Sequence, residues 1–562
     1  MSIQGIQTLT IAVAFGVMAW VAMFRLSAKT CRWLCLGLLS CLVVWMIVYR
    51  SQQVSLYSDV PVHLAMIENE AESGPFGGDP FFEKYPTPLH YSPLHMIGGW
   101  MVGTLGLTVE NSWMVLGVFY AAGVFLASLV FGHALFRDER MAWVQAIVTT
   151  CWMCLGTSSP GFGPSSFFTI LLAMGLILSC AQHQELKWSY VVLISVVVGF
   201  GLAVRLYPGS PGYLLVLVLL FAMRPQWSRQ QWQAKYVVMV LGPLLLAWPW
   251  LSLLIVHAHP GNGGTTTLSW PGWDAYWAIR WLYLKGIWLA AGPGFAQILC
   301  LLLGGLGSIL LLTSQVVSRT ARRFLGWMLG FLVVLWLFPL EVLLASSMSD
   351  VQLERMADIF GRFVNLSAPM AMAFGVIAVL KARAEVSGRR WTVWSALALG
   401  CLILLGLGPA SRLRLRVELG QDVRPRLEFL HRGKPVFDIL RGRVVLSDAW
   451  TSYLTQHALG SRVVAIPVGH SSEMVDIDYR RHCIGALFAG ALPRDSVERL
   501  ISRYRVDFIL VNKVLAGGRS IPNLEVTASE YEHYDPAYLR ECGLFKVLFE
   551  DNDVLLLAVQ HG

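Results

Sequence analysis

The sequence predicts an α-helical polytopic membrane protein of about twelve spans followed by a C-terminal water-soluble α/β domain, and three observations carry that prediction. Of the 562 residues, 56% are hydrophobic and 14% charged, with a mean hydropathy of +0.58; soluble domains carry roughly 25% charged residues. The apolar residues gather into runs of the length that crosses a hydrocarbon core about 30 Å thick. Past residue 411 the pattern changes to short apolar runs alternating with polar, amphipathic stretches.

The apolar runs place spans at about 8–25, 33–49, 112–134, 141–157, 167–182, 189–206, 211–223, 236–256, 286–313, 325–346, 362–381 and 391–410. The first has neither a basic flank nor a convincing cleavage site, so it is expected to be retained. Basic loops at 25–32, 137–140, 182–187, 224–235, 319–323 and 381–390 fall on one side if the Gly-rich segment from Leu94 to Leu107 lies at the interface instead of crossing. The positive-inside rule makes that side cytoplasmic. Loops at 50–111, 157–166, 206–212, 257–285 and 346–361 and the tail then lie outside, in a cell membrane, expected to be a bacterial inner membrane. The formal charge of +8 sits largely in the short basic loops, so it reports topology and gives no sign of a nucleic-acid partner.

Two domains are expected, a membrane domain over 1–411 with an external loop at 50–111, and an extracytoplasmic α/β domain over 412–562. In the tail, RVVLSDAW reads as a strand ending at Asp448, SRVVAIPVGH as a second strand, and VERLISRYRVDFILVNK as a helix leading into a third. LFKVLFEDNDVLLLAVQ reads as a hairpin turning at Asp551 to Asp553. Most of the ten cysteines lie in apolar runs and suit packing. Cys483 and Cys542 lie in the tail and are available to pair with each other if it is outside.

The stretch Ser58 to His95 is the least expected for a loop between spans, because it holds six carboxylates and three histidines. Asp59 comes just beyond the second span, and Pro61 opens a short interfacial helix, VHLAMIENEAE, that puts His63 one turn away. Glu68, Glu70 and Glu72 also suit a solvated face. Outside the membrane there is no nucleotide, so an enzyme there needs an activated group delivered by a lipid, which points to a polyprenyl-phosphate carrier. Sugar transfer from such a donor requires a carboxylate to take the acceptor's proton and cations to hold the phosphate leaving group.

In these features the chain resembles the GT-C superfamily of integral membrane glycosyltransferases. The shared elements are Asp59 soon after an early span, a Gly/Pro stretch at Gly77 to Pro80, and PLHYSPLH from Pro88 to His95. GFGLAVRLYPG, Gly199 to Gly209, is similar to the family's Gly-Leu-Ala segment ending in a cation, and the tail is similar to its periplasmic α/β domain. The resemblance implies that Asp59 is the catalytic base, that Arg205 faces the donor phosphate with Arg362 as a second cation, and that His63, His90, Tyr91 and His95 position substrate. The family's further Asp in the second outside loop is missing from residues 157–166, so Glu68, Asp79 and Asp274 stand as candidates for a second acid. No metal ligands or cofactor are assigned; a divalent metal stays open as an alternative without support in the sequence.

Other residues carry weaker signals. Glu341 sits in an apolar run and calls for a cavity or a partner such as Arg355 or Arg362. His257 and His259 occur in HAHPGNGG, a flexible-loop composition, and the tryptophans between Trp270 and Trp288 suit an interfacial belt. The expected partners are a polyprenyl-phosphate-linked sugar, a glycan, lipid or protein acceptor, and the bilayer. Alternatives are a ligase or polymerase that moves a whole glycan from a polyprenyl diphosphate, or a non-enzymatic transporter or scaffold. A secondary transporter generally carries midmembrane charges and internal duplication; this chain places its polar residues in an external loop.

Overall fold

The computed structural model describes residues 3–53, 60–74, 77–82, 85, 92–136, 138–156, 165–204, 206–227, 229–257, 272–281, 295–337, 367–427, 435–467, 475–517 and 529–560. Helices dominate. In chain order they begin with α1 (Ile3–Phe24), α2 (Ala28–Gln53), α3 (Val60–Ser73), α4 (Pro93–Leu105), α5 (Val109–Leu135), α6 (Glu139–Gly156), α7 (Ser165–His183) and α8 (Trp188–Val204). They continue with α9 (Leu206–Met223), α10 (Arg229–Leu246), α11 (Trp248–His257), α12 (Phe295–Thr313), α13 (Arg319–Leu337), α14 (Ser367–Val386) and α15 (Trp391–Leu427). The chain divides into two compact units, one of Met1–Ile47 with Gly117–Arg414, the other of Val48–Leu116 with Leu415–Gly562.

Each predicted apolar run contains a described helix. Among the described residues, four helical stretches are long and apolar enough to cross a membrane: Ile6–Phe24, Ala28–Val48, Val109–Leu135 and Trp391–Ala410. Shorter apolar helices, such as Phe168–His183 and Leu299–Thr313, accompany them, so the count of about twelve spans goes beyond what these lengths establish. The run expected at 236–256 is broken into α10 and α11, with Pro243 inside α10 and Pro249 opening α11. Proline removes a backbone donor and crowds the preceding turn, which explains the break. The segment from Leu94 takes the form of α4, thirteen residues long. At 1.5 Å per residue it spans about 20 Å, short of the hydrocarbon thickness.

Within the first unit, α12 and α14 pack backbone to backbone. A methyl group on Gly307 would overlap the carbonyl oxygen of Met372, and one on Gly375 would meet Leu311 Cγ at 2.6 Å. Small residues permit this approach in apolar helix pairs, where dispersion is the main attraction. Near the basic loops, Lys381 is almost fully buried and pairs with Asp138, which also bonds the Arg140 guanidinium at 3.4 Å.

The second unit is built on a five-stranded sheet ordered β2-β1-β3-β5-β4. β1 (Val444–Leu446) runs parallel to β2 (Arg462–Val463) and to β3 (Phe508–Asn512); β5 (Val554–Val559) runs antiparallel to β3 and to β4 (Phe545–Glu550). The hairpin turn between β4 and β5 closes as the Asp551 carboxylate accepts from the amides of Asp553 and Val554, both at 2.9 Å. α16 (Ala449–Leu459), α17 (Ile477–Phe488) and α18 (Arg494–Tyr504) flank the sheet, with the short α19 (Lys513–Ala516) and α20 (Pro536–Glu541). Cys483 and Cys542 are both free, so the pair considered from the sequence is not formed.

The acid-rich loop belongs to this same unit, whereas the sequence reading placed it at 50–111 as an external loop of the membrane domain. Val62, Ala65 and Met66 of α3 share one buried cluster with Phe81, Phe82, Tyr453, Val463 and Ile466. α3 spends its apolar face on the tail. Its other neighbour is α4, held close because Gly98 and Gly99 leave no side chain against Ile67 and Glu70.

Candidate active site in the acid-rich loop

Asp59, His90, Tyr91, Arg205, His259, Glu341, Arg355 and Arg362 lie outside the described residues. Asp59 directly precedes Val60, the first residue of α3. The site is therefore built here from the frame on which the acid-rich loop stands.

That frame is ordered by a chain of hydrogen bonds between helix ends. Ser92 takes an extended conformation as the N-cap of α4, with Pro93 at the first helical position, where a missing N–H costs nothing. Its backbone N–H donates to Nδ1 of His95 at 2.9 Å, so a side chain in the first turn satisfies the cap as the second half of a capping box. With Nδ1 accepting, the neutral His95 ring carries its hydrogen on Nε2 and donates it to Nδ1 of His63, 3.0 Å away. The His63 hydrogen is then fixed on Nε2. The His63 ring also stacks on Trp113, with centroids 5.5 Å apart and planes at 13°. Ser112, on the same helix as Trp113, donates to the Gly98 carbonyl at 3.0 Å. Gly106 ends α4 in the left-handed conformation, at φ 66°.

The structure thus brings His63 and His95 together, both fully buried, in positions that set helix α3 against α4 and α5. Asp79 is buried as well. Its carboxylate accepts from the amides of Phe81 at 2.8 Å and Phe82 at 3.3 Å, shaping the turn after the glycines. Glu68 is half-buried, and its carboxyl is raised above the usual range by burial first, then by Glu72 and Glu110, with Arg441 acting in the opposite direction. A carboxyl raised in this way is a functional-site candidate on physical grounds. Glu110 also lies 3.9 Å from His457 of α16. Asp274 is exposed on a helix over 273–281 in the other unit. Among the described residues no group of three or more His, Cys, Asp or Glu side chains is placed to hold a metal ion.

Several polar residues were missed from the sequence. At the carboxyl ends of β1 and β3, Asp448 caps α16 by accepting from the Trp450 and Thr451 amides at 3.0 and 2.9 Å, and takes a bond from the Tyr531 hydroxyl at 3.0 Å. Tyr531 in turn accepts the Asn512 amide at 2.9 Å, and Asn512 donates to Thr451 at 3.0 Å. Burial is the largest influence on both acids of this network and raises both the Asp448 carboxyl and the Tyr531 phenol. In the first unit, Arg280 is buried with its guanidinium 5.2 Å over the Tyr276 ring. A lone arginine amid the aromatics of WDAYWAIRW was the available signal for it.

No family model matches the sequence, and no curated protein matches it. Solved structures do. The apo oligosaccharyltransferase of Archaeoglobus fulgidus aligns with a TM-score of 0.51 at 12% identity, over 86% of this chain and 70% of its own. ArnT from Cupriavidus metallidurans, bound to undecaprenyl phosphate, aligns with a TM-score of 0.51 at 12% identity, over 93% of this chain and 97% of its own. The chain shares the fold of these two structures.

Proposed function

We propose that the protein is a membrane glycosyltransferase that moves a sugar from a polyprenyl-phosphate-linked donor to an acceptor on the extracytoplasmic face, in cell-envelope glycan synthesis or modification. The observation that carries this reading is the end-to-end fold match with a structure bound to undecaprenyl phosphate. In the proposed reaction Asp59 accepts the proton of the acceptor hydroxyl. The acceptor oxygen bonds to the anomeric carbon, the bond from that carbon to the phosphate oxygen breaks, and the lipid phosphate leaves with the electron pair. Attack from the side opposite the leaving group inverts the anomeric configuration. Arg205, with Arg362, is assigned to the phosphate, for which a guanidinium's paired donors are suited. His63 and His95 support the loop through the bonds described above, and Glu68 is the second-acid candidate whose surroundings raise its proton affinity. The tail, in this reading, lies outside with the loop and helps hold the acceptor.

The oligosaccharyltransferase match favours one second reading, transfer of a whole glycan from a polyprenyl diphosphate. Purified protein in nanodiscs, given radiolabelled undecaprenyl-phosphate monosaccharides or undecaprenyl-diphosphate oligosaccharides, separates the two. The first reading expects turnover with the monophosphates, and weaker donor binding in Arg205→Ala. Turnover with the diphosphates alone would replace it.

A further inference from the structure

Residues 77–82 and Tyr85 lie along the β2 edge of the tail sheet and are fastened there by two arginines. The Val463 amide donates to the Phe81 carbonyl at 3.1 Å, so the loop extends the pairing of β2 by one bond. Arg462 Nη1 donates to the carbonyl oxygens of Asp79 and Pro80 at 3.0 and 2.9 Å. Arg480, almost wholly buried, donates from Nη1 to the Val464 carbonyl and from Nη2 to the Tyr85 hydroxyl, both at 2.9 Å. Its guanidinium carbon also lies 5.1 Å from the Phe82 ring, 5.4 Å from that of Tyr85 and 4.5 Å from that of Tyr504.

Burying a guanidinium is costly unless its donors are matched, and the apolar cluster beneath this segment already excludes water without it. What an arginine adds is direction, because its rigid planar fork fixes two acceptors at once. Here one acceptor is on the tail and the other on the loop. The same loop segment is tied back to α3, where Asn69 Nδ2 donates to the Gly78 carbonyl at 3.0 Å. The orientation of α3 is thus set from the tail, and Asp59 is the residue before α3 begins.

The geometry points to Arg480, seconded by Arg462, as a positioning residue for the transfer reaction. It acts through residues 79–82, Tyr85 and α3 and touches no substrate. This inference rests on the proposed glycosyltransferase reading for its effect on turnover, while its structural half is independent of that reading.

The test compares full-length parent, Arg480→Met, Arg480→Lys and the milder Tyr85→Phe in nanodiscs. It measures kcat and KM with radiolabelled undecaprenyl-phosphate monosaccharides, and amide exchange over residues 77–82 and over β3 and β5. Arg480→Met should lower kcat at least tenfold with donor KM within twofold, and should speed exchange over 77–82 at least tenfold while β3 and β5 keep their protection. Arg480→Lys, able to reach one acceptor, and Tyr85→Phe should fall between Arg480→Met and parent in both readouts. Parental kcat in Arg480→Met would overturn the assignment, as would a loss of kcat matched by equal deprotection of β3 and β5. If the parent transfers no sugar, the functional reading fails and the exchange arm alone decides. Faster exchange over 77–82 then upholds the clamp, and unchanged exchange overturns it.

Discussion

Phe81→Ala probes the claim that the acid-rich loop and the tail fold as one unit. Phe81 is fully buried, its ring 5.9 Å from that of Tyr453 and 6.4 Å from that of Phe82, in a cluster drawn from both parts of the chain. Truncating a buried phenylalanine costs about 3–5 kcal/mol, the sum of lost transfer energy and the cavity left behind. Aromatic pairing supplies about 0.5–1.5 kcal/mol beyond area burial. Neighbouring side chains here are themselves packed aromatics and β-branched residues, with little freedom to collapse, so the cost should not fall below that range. At about 1.4 kcal/mol per factor of ten, the opening equilibrium of the unit should rise by roughly a hundredfold or more. Hydrogen exchange on the protein in nanodiscs reads this directly: amides of α3 and of α16 should both exchange faster by that factor. Acceleration confined to α3, with α16 and Val463 unchanged, would refute the shared core.

Gly307→Ala should destabilise the first unit by about 1–3 kcal/mol, because the added methyl meets the Met372 backbone carbonyl, which cannot move aside as a side chain would; an unchanged thermal midpoint would count against the close α12–α14 contact. Asp448→Asn tests the buried network by pH. The Asp448 carboxyl is raised above its ordinary 3.8 by burial, so its contribution to stability is fully present below the unfolded value and is lost as pH rises through the folded one. Melting curves should therefore show the parent losing more stability than the variant as pH rises above that ordinary value; parallel profiles would contradict the assignment.

The membrane helices and the tail's strands were legible because burial in lipid or in a sheet imposes periodic apolar runs, as in RVVLSDAW and the hairpin at Asp551. The break at Pro243 and Pro249 was legible in principle, since two prolines stood inside one predicted run. The fold of the loop was not. Its helix could be read from VHLAMIENEAE, but that pattern marks an apolar face without naming what covers it, and the tail residues that cover it lie almost 400 positions away in sequence. His95 shows the same limit, because its cap to Ser92 is local and its bond to His63 is long-range. The pairing of Asp448 with Tyr531 escaped notice, since each looks ordinary alone and gains meaning only when the sheet brings their segments together.

The most direct test of the account is turnover of Asp59→Asn with an undecaprenyl-phosphate-linked sugar that the parent transfers. The substitution keeps the size of the side chain and removes the base. Loss of a general base costs typically 10²- to 10⁴-fold, so the account predicts a fall of that order in kcat with donor binding nearly unchanged and an inverted anomeric centre in the parent's product. Near-parental turnover in the variant would contradict it.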